Sequence, residues 1–159
     1  MLWWLGRSTN HHFFGVTVTN RQYSQSEYLS VLSQAQVEPL KLLAEAVIPA
    51  LEPITVIYNR TGLVMLPYRD SAQGSTFHLG EVLIAEARIQ AAGAEGYGAC
   101  LGHDLEQSLA IAILDTALTV GQHVEPITAF IAAQAQLQHE AQESLLRNVE
   151  STRAEMETF

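Results

Sequence analysis

Apolar residues recur at helical spacing in two stretches before Pro53 and two after Asp104, while the region between them shortens to strand-like runs broken by turn residues. Ser24 and Glu27 form a capping-box pair ahead of Tyr28, Leu29, Val31 and Leu32, so a short helix is expected to about Ala35. A second helix is expected from about Glu38, carrying Leu40, Leu42, Leu43, Ala46 and Val47, with Pro49 and Pro53 preventing a clean continuation. Ile54 to Tyr58 and Leu63 to Leu66 flank Asn59–Gly62, which predicts an antiparallel hairpin turning at that corner. After a polar loop from Arg69 to Ser75, Thr76 to Leu79 and Glu81 to Ile89 read as extended, with a bulge or bend at Gly80; helix is the competing reading of the second run. A turn over Ala91 to Glu95 then leads to a fourth strand, Gly96 to Leu101. Its alternation sets Tyr97, Ala99 and Leu101 on one face and Gly96, Gly98 and Cys100 on the other, nearly bare, where a helix can approach closely.

Asp104 can cap a helix from Leu105 to Val120 that is apolar around most of its circumference, with Gln107 at the reciprocal position and Gly121 as its end. From Glu125 onward Ile127, Phe130, Ile131, Leu137, Ala141, Leu145 and Val149 make a stripe along a long amphipathic helix. One small domain does not supply enough core to cover all of it, so Leu137, Ala141, Leu145 and Val149 are the candidate partner interface. The expected fold is α+β: a single domain with a roughly four-stranded, mainly antiparallel sheet, N-terminal helices, a core helix and that long C-terminal helix. Residues 1–23 show no sustained period and read as an N-terminal extension to a domain spanning 24–159.

Composition narrows the function. With 48% hydrophobic and 16% charged residues in 159, the chain has the makings of a folded core. Eight scattered cations against 17 carboxylates give a net charge of −9, which disfavours nucleic acid and makes the chain alone a poor cage for polyphosphates. The single cysteine, Cys100, fits a reducing compartment, and the apolar start at Met1 lacks the basic lead of a signal peptide. No apolar run approaches the ~20 residues that span a bilayer. A cytoplasmic protein with no membrane contact is expected.

Candidate chemistry is sparse. The sole lysine, Lys41, has no glycine-rich loop near it, and Gly93, Gly96 and Gly98 are in the wrong order for a dinucleotide fingerprint. His11 and His12 point opposite ways in an extended chain, His78 reads as a partly buried strand histidine, and His123 and His139 are too far apart along a helix to share a metal. Neither cofactor nor metal is expected in this chain. His103 and Asp104, where the last strand meets the core helix, are the candidate catalytic pair; the simpler reading is a cap beside an exposed histidine. Cys100 reads as a packed, inert thiol.

The run from Gly96 to Asp104, followed by Leu114 to Leu118, together with Thr61–Val64, Gly80, Tyr28–Leu32 and Ser151–Arg153, resembles the PhnG family, the small subunit of the carbon-phosphorus lyase core complex. The likeness covers roughly residues 24–156. It departs where His103 stands for the family's usual arginine, where Ser108 and Leu109 replace an Ala-Glu step, and at the tail Thr152–Phe159, which is less basic and less aromatic. The resemblance implies assembly with partner subunits H, I and J. It also implies a part, with subunits H, I and L, in displacing adenine from ATP by an alkylphosphonate to give ribose 1-alkylphosphonate 5-triphosphate. On that expectation the nucleosidase activity belongs to subunit I and the iron-sulfur cluster to subunit J, with this chain an accessory subunit inactive alone. The alternative is a self-sufficient enzyme or binder using His103 and Asp104.

Overall fold

The computed structural model describes residues 23–70 and 74–151. Within them the order is α1 (Gln25–Ser33), α2 (Val37–Leu51), β1 (Ile54–Arg69), β2 (Thr76–Ala91), β3 (Ala94–Leu101), α3 (Leu105–Val120) and α4 (Val124–Ser151). The expected 1–23 extension, with His11 and His12, lies outside the described residues but for Tyr23.

Local signals place the helix ends. The Ser24 hydroxyl accepts from the Glu27 amide while the Glu27 carboxylate accepts from the Ser24 amide, closing the capping box of α1. α2 tolerates Pro39 in its first turn, where the missing N–H has no intrahelical partner to lose, and carries Pro49 in its last turn before stopping at Leu51. The expected break therefore comes two residues after Pro49. Gly121, at φ 76°, ends α3 in the left-handed conformation with its amide donating to Ala117.

Among the described residues the sheet has three antiparallel strands in the order β1-β2-β3, rather than the roughly four expected. The expected corner at Asn59–Gly62 is continuous strand: pairing runs in register from Ile54 opposite Ala91 to Arg69 opposite Thr76, interrupted by irregularities at Val56/Tyr58 and Leu66/Pro67. The second sets Leu66 opposite Gly80 and Pro67 opposite His78, leaving Leu79 as the extra residue beside the expected Gly80 bulge. Glu81–Ile89 is strand rather than helix because both neighbouring strands pair with it. The chain turns instead after Asp70, whose amide donates to Ser75 and whose carbonyl accepts from Gly74 at φ 68°.

The core lies between one sheet face and the helices. Ala85, Ala87, Ile89 and Cys100 meet Ile111, Leu114 and Ala117 of α3, with Leu32, Leu40, Val47, Leu51, Ile127 and Ile131 completing it. α3 lies directly on β3 because Gly96 and Gly98 carry no side chain: a Cβ at Gly96 would run into Thr116 Oγ1 and the Ala112 carbonyl, and one at Gly98 into the Ser108 carbonyl. The bare face read from the alternation is thus the bed of the central helix.

Candidate functional site

The corner between β3 and α3 carries the candidate catalytic pair. Gly102 turns the chain at φ 95°, and Asp104 then caps α3, its Oδ1 accepting from the Gln107 amide at 2.9 Å. Its Oδ2 lies 3.3 Å from Lys41 Nζ on α2, which also meets Glu106 at 2.9 Å. The Gln107 amide, and after it Lys41, hold the Asp104 carboxyl below its usual range, and Glu106 first raises the Lys41 ammonium. A carboxylate so stabilised is a poor proton acceptor, so the geometry is that of a cap and a tether between α2 and α3. His103 is exposed beside it, and Leu109 is half-buried.

Cys100 is 3% exposed, and burial pushes its thiol up, with the nearby Asp104 charge adding to the effect. The other histidines sit apart: His78 is exposed, correcting the expected partial burial; His123 immediately precedes α4; His139 Nε2 lies 3.3 Å from Glu143 Oε1 on the helix surface. Among the described residues no group of three or more His, Cys, Asp or Glu is placed to hold a metal.

Asp115 is the polar residue whose role the sequence reading missed. In the middle of α3 and 1% exposed, it accepts from the Tyr28 hydroxyl at 2.5 Å, the Tyr97 amide at 2.8 Å and Gln25 Nε2 at 3.1 Å. One carboxylate thereby ties α1, β3 and α3 together, satisfied by neutral donors. Its signal was present: a lone carboxylate ringed by Leu114, Ala117 and Leu118 needs buried donors.

Two apolar surfaces stand out. α4 packs through Ile127, Ile131 and Gln134, and Gln138 Nε2 donates to the Val31 carbonyl at 2.9 Å, but from His139 to Ser151 every residue is exposed. The stripe residues Leu137, Ala141, Leu145 and Val149 are therefore exposed, and Leu146, absent from the sequence reading, joins them. The second surface is the outer part of the β1–β2 hairpin, whose residues from Arg60 to Arg69 and from Thr76 to Glu81 are all exposed, as is Leu83. The misplaced turn hid this arm, since a corner at Asn59–Gly62 folds those residues back onto the sheet.

No helix among the described residues is long and apolar enough to cross a membrane. A family model described as "Phosphonate metabolism protein PhnG" matches residues 24–159. No curated protein matches the chain with significant similarity.

Proposed function

The chain belongs to the PhnG family of phosphonate metabolism proteins, and from that premise we propose that it is an accessory subunit of the carbon-phosphorus lyase core complex. It supports, in the cytoplasm, the formation of ribose 1-alkylphosphonate 5-triphosphate from ATP and an alkylphosphonate with release of adenine. Its partners in that reading are the H, I and J subunits, and its contribution is to hold a larger subunit's active site in a competent shape rather than to react with substrate. The observation that carries the proposal is the distal half of α4, a helix that projects Leu137, Ala141, Leu145 and Val149 into solvent beyond the body it starts from. The charge of −9 supports it as well, because a triphosphate and a phosphonate need cations that this chain does not gather.

Co-expression with the H, I and J subunits from the same source tests the reading. A stable complex is expected, lost when Leu137, Ala141 and Leu145 are changed together to Glu; assembly indifferent to that change would remove α4 as the docking surface. Turnover by the purified chain, abolished by His103→Ala, would instead establish the self-sufficient enzyme. The engagement of Asp104 with the Gln107 amide and Lys41 speaks against that alternative.

A further inference from the structure

The three-stranded sheet changes character along its length. The face turned away from the helices is polar beside β3: Arg60 pairs with Glu86 at 2.8 Å and stacks on Tyr58 at 4.8 Å, and Arg88 meets Glu95 at 3.4 Å. That face suits water, as one side of an antiparallel sheet commonly does. β3 ends at Leu101, opposite Ile84, which in turn lies opposite Gly62. Beyond this row β1 and β2 continue as a two-stranded ribbon in which β1 turns apolar, while β2 keeps Glu81, opposite Met65, and His78, opposite Pro67. Gly62 to Tyr68 contains no charged residue. Cross-strand pairs alternate between faces, so Leu63 with Leu83 lies on the helix side and Val64 with Val82 on the other, with Leu66 again on the other. The exposures confirm apolar groups on both: Leu63 is 65% exposed, Met65 59%, Leu66 45% and Leu79 57%. Tyr68 and Phe77 meet edge to face at 5.5 Å near the end of the ribbon.

An isolated two-stranded ribbon is marginal in water, and a strand apolar on both faces matches an element buried on both. We infer that the β1–β2 arm beyond the Gly62–Ile84–Leu101 row is inserted into an apolar groove of a larger, positively charged partner subunit, which grips it on both faces. The inference rests on the accessory-subunit reading and adds to α4 a second, separate docking element. A second copy of this chain is the poorer occupant: it brings −9 against −9, and pairing two β1 edges would cover an edge while leaving both faces wet. The exposed apolar side chains of the arm, with Leu101 at 73% exposed at its base, amount to an area on the order of the ~800 Å² that each partner contributes to a standard interface.

The test is binding of the full chain to co-expressed H, I and J subunits, with Leu63→Lys probing one face of the arm and Leu66→Lys the other. Both positions are exposed, so each variant should retain the wild-type circular dichroism and melting midpoint. Each is expected to weaken the complex at least tenfold, with amides in 62–68 and 76–83 of the wild-type chain gaining protection from hydrogen exchange on assembly. That exchange measurement on wild type decides the matter should a variant fold poorly. A complex in which one face is sensitive and the other indifferent overturns insertion in favour of lying flat on a surface. A complex indifferent to both substitutions, with an unprotected arm, overturns the inference and leaves the accessory reading standing. Concentration-dependent dimers of the isolated chain with a protected arm assign the occupant to a second copy and overturn it too. No complex with wild type at all sinks the accessory reading itself and this inference with it.

Discussion

Gly96 and Gly98 set the distance between the sheet and its central helix, and the alternation of the β3 sequence announced them. A methyl group at Gly98 would meet the Ser108 carbonyl and lie 2.6 Å from the Ala112 amide nitrogen, backbone atoms that cannot swing aside. Gly98→Ala should therefore lower stability by about 2–3 kcal/mol, as overpacking of a close-packed interior does, read from the urea midpoint. Gly62→Ala is the control, since nothing lies within 4 Å of the added carbon; a change within about 0.5 kcal/mol is expected. At Asp104 the relevant variable is pH. Its folded carboxyl is held below the ordinary carboxylate range by the Gln107 amide and Lys41, so its charge contributes stability above the unfolded value of about 3.9 and loses that contribution as pH falls through the lowered folded value. Asn caps helices about as well as Asp, so Asp104→Asn isolates the charge. The stability gap between wild type and variant should be constant from about pH 5 to pH 8 and close below about pH 4, in urea titrations across that range. The capping role of Asp104 could be read from its position before an apolar run. Asp115 could not be assigned partners in the same way, because Tyr28 and Tyr97 reach it from distant parts of the chain.

Among the elements, α4 and the β1–β2 hairpin share one property: each begins in the core and ends outside it. α4 buries Ile127 and Ile131 and is exposed throughout from His139, so the body does not depend on its far end. Ending the chain after Glu140 should leave thermal stability within about 0.5 kcal/mol of wild type while abolishing the complex with the partner subunits. A large loss of stability would show that the distal helix packs on this chain rather than on another. The helix itself was legible from its stripe, and so was the shortage of core to cover it. The hairpin was legible only as strands. Asn59, Arg60, Thr61 and Gly62 have turn chemistry, but the apolar run from Leu63 to Leu66 finds its ladder on the outer part of β2, and the tighter corner loses to that longer register. Asn59 then serves the body instead: its amide donates to the Leu105 carbonyl and its oxygen accepts from the Ser108 hydroxyl.

For the molecule as a whole, charge and shape point the same way. A body at −9 with two apolar projections is suited to a partner of opposite sign that supplies both grooves and cations. Raising the ionic strength from 0.1 to 1 M shortens electrostatic reach from about 10 Å to about 3 Å, so association with such a partner should slow and weaken several-fold, measured by surface plasmon resonance. Affinity unchanged or increased by salt would mean that apolar burial alone drives assembly. The sequence by itself determined the Ser24, Asp104 and Gly121 caps, the strand faces beside α3, the central core helix, the family and the exposed stripe of α4, while the Gln107 side chain, expected to complete the α3 capping box, donates to the Ser33 carbonyl instead. These depend on residues a few positions apart, where hydrogen-bond reach and side-chain periodicity leave little choice. Only the tertiary structure decided where the long hairpin turns, how many strands it makes among the described residues, which donors satisfy Asp115, and that the outer arm exposes apolar side chains on both faces. Those outcomes rest on competition between distant partners, and a strand's register or a carboxylate's burial is set by whichever of them wins.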